Sequence, residues 1–258
     1  MTKSALKLFY KENKTKYPLI IFIHGAACDH SIWCFQNRYF FNRGYSVLTL
    51  DLPGHGENNS NACSSIKEMS VLVKALIGKL NKKEIILVGH SMGSLICLDI
   101  LNKNISNVKK VFLIGISVPM NVSKSLIDKS KKQQDLAIGD MINWSLTSEV
   151  KLKGSNLIGS NLPNLVNVVM SNTKKGILHK DLLACNKYTM NDEIKKYKGH
   201  VTVIVGEKDI MTPKNGINSL KNFIPDLDIK ILKKVGHFHM LEDHMNVNKI
   251  IETKLLKK

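Results

Sequence analysis

Residues 84–101, EIILVGHSMGSLICLDIL, hold the feature that most limits the folds open to this chain. The run up to Val88 is apolar and short, as in a strand buried on both faces. Residues 92–101 are apolar nearly all round, as in a helix packed into the centre of a protein. Gly89 and Gly93 stand two positions either side of Ser91. A strand that turns straight into a helix leaves no room for side chains at those two points. The residue at the tip takes a strained backbone conformation that holds its side chain in the open.

The same strand-like form recurs. PLIIFIHG (18–25), YSVLTLDLPGHG (45–56), VKKVFLIGIS (108–117), HVTVIVGEKD (200–209) and DIKILKKVGH (228–237) are apolar runs that end in turn signals. Helical spacing fills the gaps. Residues 65–80 carry apolar side chains at 66, 69, 72, 73, 76 and 80, behind a Ser-x-x-Glu capping box, SIKE. Positions 247, 250, 251 and 255 give the last helix one apolar stripe. Strand–helix alternation predicts an α/β fold, a mostly parallel central sheet with helices on both faces.

The alternation breaks once. About eighty residues separate the run ending near 117 from the one starting near 200. They include SKSLIDKSKKQQDLAIGDMINWSL, a polar KGSNLIGSNLPN stretch and two more helical pieces. That is too long for an ordinary connection. It reads as a helical cap inserted at 119–198, between a first part of the core, 1–118, and a second part, 199–258.

Composition narrows the function classes. The 258 residues are 43% hydrophobic, enough for a sizeable core. No stretch of 18 apolar residues offers a membrane span, and the basic start does not read as a signal peptide. The net charge of +17 suggests nucleic acid, but only Arg38 and Arg43 of the 38 basic residues are arginine, and the lysines are spread along the chain. Arginine does most of the bidentate work on phosphates and base edges, so no nucleic-acid partner is expected. The five cysteines, 28, 34, 63, 97 and 185, are odd in number and lack C-x-x-C spacing. Reduced thiols, a cytoplasmic location and no zinc site are expected.

A serine hydroxyl needs a base, and the base needs an orienting acid. On a sheet of this kind their chain order is serine, acid, histidine. Asp209, in GEKDIMTP, and His237, in VGHFHML, both fall just past strand-like runs, on the carboxyl edge where sites form in open α/β sheets. HGAA (24–27) also follows such a run, and its small residues let backbone amides approach a substrate. The amides of Ala26 and of Met92, at the helix start, would form an oxyanion hole. His24 reads as a brace for its loop, DLPGHG with Asp51 and His55 as a structural turn, Asp29 or Ser31 as a helix N-cap, and Trp33 as packing.

These motifs resemble the α/β-hydrolase fold family, specifically its bacterial serine esterases. HG at 24–25, DLPGHG at 51–56, GHSMG at 89–93, GEKD at 206–209 and GH at 236–237 stand in family order over nearly the whole chain. The resemblance implies Ser91 as nucleophile, His237 as base in preference to His239 or His244, and Asp209 as its acid. It implies hydrolysis of a small-molecule carboxylic ester or thioester through an acyl-enzyme, with no metal and no cofactor. His90, Trp144 and Met170 are the expected pocket residues. Serine at 91 argues against the family's dehalogenases and epoxide hydrolases, which use aspartate. Carbon–carbon bond hydrolysis stays open, although those relatives recognise carboxylates with arginines and this chain has none after 43. So does a non-catalytic ligand-binding role, because fold does not settle function. The acyl group, the alcohol and the oligomeric state are left open.

Overall fold

The structure, a computed structural model, describes residues 6–102, 105–153, 161–190, 192–224 and 226–256. In chain order the strands are β1 (Lys7–Lys11), β2 (Leu19–Ile23), β3 (Ser46–Asp51), β4 (Ile85–His90), β5 (Val108–Ile114), β6 (His200–Gly206) and β7 (Asp228–Leu232). The helices before β5 are α1 (Cys34–Phe41), α2 (Ile66–Lys79) and α3 (Met92–Leu101). Between β5 and β6 lie α4 (Lys124–Lys132), α5 (Gln134–Ser145), α6 (Ser148–Lys153), α7 (Leu162–Ser171) and α8 (Ile177–Lys187). The rest are α9 (Asn218–Lys221), α10 (His239–Glu242) and α11 (His244–Leu256). Most of the polar stretch at 153–164 lies outside the described residues.

The strands form one sheet in the order β1-β3-β2-β4-β5-β6-β7. From β3 to β7 every pairing is parallel. The expected α/β-hydrolase sheet is therefore present, with one addition. β1 pairs antiparallel with β3, from Lys7 opposite Asp51 to Lys11 opposite Val47. Its sequence, KLFYK, is half exposed, so it lacks the continuous apolar run that marks the inner strands. Lysines on an outer strand discourage pairing with another chain.

Side chains of the inner strands divide between two cores by the period of two. Leu19, Ile21 and Ile23 face a core built with α2 and α3. Ile20 and Phe22 face another built with α1, α5, α7 and α11. Helices thus cover both faces. Each such side chain, fully buried, contributes about 1.5–3 kcal/mol.

Local sequence signals act with small changes. Ser65 accepts the Glu68 amide at 3.2 Å, as a capping box requires. The Glu68 carboxylate reaches back one residue further than expected, to the amide and hydroxyl of Ser64 at 2.8 and 2.7 Å. Of the two N-cap candidates after β2, Asp29 is the cap, accepting the Ser31 amide at 2.8 Å. Trp33 is fully buried and packs on Phe22 at 5.1 Å between ring centroids. No helix among the described residues is long and apolar enough to cross a membrane.

Candidate active site

The turn from β4 into α3 puts Ser91 at φ 52° and ψ −115°. An L-residue there is strained. The strain is held from several sides. The Ser91 amide donates to Ile114 O at 2.8 Å, and the Ser94 hydroxyl donates to Gly89 O at 2.8 Å while accepting the Ile114 amide at 3.0 Å. A Cβ on Gly89 would stand 2.3 Å from Gly93 O, and one on Gly93 2.2 Å from Ile23 O on β2. Both obstacles are backbone, which cannot swing away. The two glycines therefore let the helix start against its own strand and against the neighbouring one. Ser94 was not singled out in the sequence, although a serine in a largely apolar helix was a visible signal.

β6 and β7 deliver the other two groups. Asp209 and His237 are both buried, and His237 Nδ1 lies 2.9 Å from Asp209 Oδ2. Asp209 also accepts the amides of Met211 and Thr212 at 2.9 Å each and the Thr212 hydroxyl at 2.7 Å. Burial alone would raise this carboxyl. The charge and hydrogen bond of His237, then His239 and the Thr212 amide, outweigh it and hold Asp209 well below the usual carboxylate range. A permanent carboxylate on Nδ1 leaves Nε2 of His237 for other work. Thr212 is a second residue that sequence reading passed over, in the DIMT that follows the motif.

His239 and His90 pack around this pair. His239 Nδ1 lies 2.6 Å from His237 O, and its Nε2 is 3.8 Å from Asp209 Oδ2. Burial pushes His239 down to about 4, against the pull of Asp209. His90 Nε2 donates to His237 O at 3.0 Å, and burial, followed by the charges of His237 and His239, lowers it well below the ordinary value. Both are neutral imidazoles at neutral pH. The His237 amide donates to Ser145 O, at the end of α5, at 2.6 Å. The buried Glu242 carboxylate accepts the amides of Gly236 at 3.2 Å and Thr147 at 3.4 Å. The histidine loop is thus tied to the segment between β5 and β6.

The loop after β2 is held just as firmly. His24 Nδ1 donates to Gly25 O at 2.8 Å and its Nε2 accepts the Leu52 amide at 3.2 Å. Burial, then the charge of His55, pushes His24 down to about 4, so it is a neutral brace. The Cys28 amide also donates to Gly25 O, at 3.3 Å. A peptide is planar, with its N–H opposite its C=O. Fixing Gly25 O therefore fixes the direction of the Ala26 N–H.

Ala26, Ser91 and His237 border one cavity of about 190 Å³, together with His90, Trp144 and Met170. Met92 does not border it through its side chain; it is buried as the first residue of α3, which leaves its amide at the helix start. No lysine, arginine, aspartate or glutamate lines the cavity among the described residues.

Away from the cavity, Asp29, His30 and Asp51 bring one possible metal-ligand atom each within 4.8 Å of one another. These atoms have protein partners. Asp51 Oδ1 accepts the amide of His30 at 2.7 Å and meets its Nδ1 at 2.9 Å, and Asp51 Oδ2 accepts the Glu57 amide at 2.9 Å. The group ties DLPGHG to the loop after β2. His55, in the same motif, meets the buried Asp181 of α8 at 2.8 Å, a partner that nothing in the sequence marked.

The model of the alpha/beta hydrolase fold family matches residues 18–244. A Mycoplasma genitalium protein named as an esterase/lipase is 26% identical over 239 residues, which cover 89% of this chain and 86% of that one. An esterase from Exiguobacterium antarcticum has a similar structure, with a TM-score of 0.84 at 16% identity, over 97% of this chain and 95% of that one. An enol-lactonase from Burkholderia xenovorans superposes with a TM-score of 0.84 at 17% identity, covering 98% and 96%.

Proposed function

Because the chain belongs to the α/β-hydrolase fold family, we propose that it is a serine hydrolase acting on a carboxylic ester or thioester. The observation that carries this reading is the buried Asp209–His237 pair, 2.9 Å apart, whose histidine borders the same cavity as a serine at φ 52°. His237 Nε2 takes the proton of Ser91 as its oxygen attacks the acyl carbon. The amides of Ala26 and Met92 hold the oxyanion of the tetrahedral intermediate. His237 passes the proton to the leaving alcohol or thiol, then activates the water that releases the acid. Asp209 keeps the imidazole in the tautomer with its proton on Nδ1 and stabilises the imidazolium.

The cavity favours a neutral substrate with a small acyl group. Among the described residues its walls carry no lysine or arginine to recognise a carboxylate, and of the chain's two arginines Arg38 lies on α1 and Arg43 just past its end. That weighs against carbon–carbon bond hydrolysis of acidic substrates. In this reading α4–α8 act as a cap, with Trp144 and Met170 in the acyl pocket. Five unpaired thiols fit a reducing compartment such as the cytoplasm. The test is covalent labelling by a fluorophosphonate, with p-nitrophenyl esters of rising chain length as substrates. Label recovered on the peptide containing Ser91, and ester turnover that the label abolishes, are expected. A folded protein that binds esters without labelling or turnover is instead a non-catalytic ligand-binding member.

A further inference from the structure

Ala27, next to the proposed oxyanion donor, sits at φ 53°. This left-handed conformation is unfavourable for an alanine, so its surroundings must impose it. Two residues grip its backbone. Asp181 Oδ2 of α8 accepts the Ala27 amide at 3.0 Å, and the Thr173 hydroxyl, just after α7, donates to Ala27 O at 2.8 Å. Both grips come from the segment between β5 and β6, at sequence separations of 154 and 146. Asp181 is fully buried and shares the same oxygen with His55 Nε2 at 2.8 Å. The other nitrogen of His55 meets Pro53 O at 3.1 Å. With an acceptor on each side, both ring nitrogens donate, and His55 is an imidazolium that balances the buried carboxylate.

We propose that Asp181 is a positioning residue: with Thr173 it holds the two peptides that flank Ala27 in their strained turn and so aims the Ala26 amide at the developing oxyanion. The inference rests on the serine-hydrolase reading above. Asp181 itself touches no reacting atom. Its effect passes through one peptide, and a misplaced donor loses the transition state without weakening the ground state.

The expected signature is a loss in kcat with little change in KM. A misplacement near 1 Å costs on the order of 10²-fold, so Asp181→Ala should lower kcat about 10- to 100-fold on p-nitrophenyl acetate. Affinity for a trifluoromethyl ketone, which forms the tetrahedral adduct, should fall by the same factor. Affinity for the product acid should not. Asp181→Asn keeps an acceptor oxygen for the Ala27 amide and should recover most of the loss. Fluorophosphonate labelling of wild-type Ser91 is scored first and separately. Its failure overturns the serine-hydrolase reading, and this inference with it. A labelled wild type beside a folded Asp181→Ala with kcat within twofold of normal overturns this inference alone, as does an equal loss of ketone and product binding. If Asp181→Ala does not fold, Thr173→Val decides, because it frees only Ala27 O: a lower kcat at unchanged KM supports the clamp, and an unchanged kcat overturns it.

Discussion

His237 with Asp209 and His55 with Asp181 are alike by most measures. Each pairs an imidazole nitrogen with a carboxylate oxygen, at 2.9 and 2.8 Å, and all four residues are buried at the carboxyl edge of the sheet. They differ in the second nitrogen. His55 gives its own to Pro53 O and is raised above the ordinary imidazole value, because Asp181 outweighs the opposing effect of burial. His237 borders the cavity, and among the described residues no hydrogen bond occupies its Nε2. A buried histidine–carboxylate pair is thus no sign of chemistry by itself. With both nitrogens occupied it fits a brace; with one left over, in a histidine that borders the same cavity as a strained serine, it fits the base of the proposed function.

The largest expected effects test that distinction. Ser91→Ala should lower turnover on the order of 10⁶-fold without unfolding the protein. His237→Ala should match it, and the double variant should be little worse, because the two act as a unit. His55→Gln should stay within about tenfold of wild type, since Asp181 still grips Ala27, and His239→Ala should be milder than His237→Ala. Steady-state rates on one ester rank all five proteins. If His55→Gln falls as far as His237→Ala, the two pairs are not separable by their free nitrogen.

The acids come next. Asp209→Asn preserves shape but turns an amide toward His237 Nδ1, which favours the wrong tautomer, so kcat should fall about 10⁴-fold. Asp181→Asn should fall less than tenfold, because its amide oxygen still accepts the Ala27 N–H, and His55, no longer balancing a carboxylate, can donate to it as a neutral imidazole. A pH–rate profile sharpens the contrast. Asp209→Asn should change its shape, and Asp181→Asn should only lower its height.

The two pairs were not equally legible in the sequence. Ser91, Asp209 and His237 each follow an apolar run, and burial of a parallel sheet makes such runs readable. The loops at their ends need glycine for steric reasons, which leaves a motif. Asp181 has no such mark. It lies on an amphipathic helix, 126 residues from His55, and only tertiary packing brings the two together. Thr173 and Glu242 were missed for the same reason. β1 was missed because an edge strand has no need of a continuous apolar run. The helical insertion does more than border the cavity. Ser145 O holds the His237 amide, and Asp181 and Thr173 hold Ala27.

That last point divides the insertion into grips and walls, with smaller effects expected from the walls. Trp144 and Met170 border the cavity. Trp144→Ala or Met170→Ala should shift the relative kcat/KM among acyl chain lengths and leave fluorophosphonate labelling intact. One methylene contact is worth about 1–3 kcal/mol, so the shift per position should not exceed roughly 200-fold. Loss of labelling in a folded Trp144→Ala would move that residue from wall to grip.

The smallest effect concerns His24 and His55, whose rings lie 4.9 Å apart and are shifted in opposite directions. His24 is pushed down to about 4 from 6.5. Between those values the unfolded chain binds a proton at this residue and the folded chain does not. Stability must therefore fall as pH drops from 6.5 toward 4 and level off below that, where the folded form also takes the proton. The slope is about 1.4 kcal/mol per pH unit for one such group. His55 is raised, so its contribution is complete below 6.5 and is lost only as pH climbs through its folded value. Urea unfolding across pH 4–9 separates the two, with His90 and His239 adding to the acid limb in the same sense as His24. His24→Gln should flatten the acid limb by about one proton and leave the alkaline limb alone. His55→Gln should be destabilised most below pH 6.5 and approach wild type as pH rises. If both variants change the same limb, the opposite charge states assigned to these neighbours are wrong, and His55 is not the cation that balances Asp181.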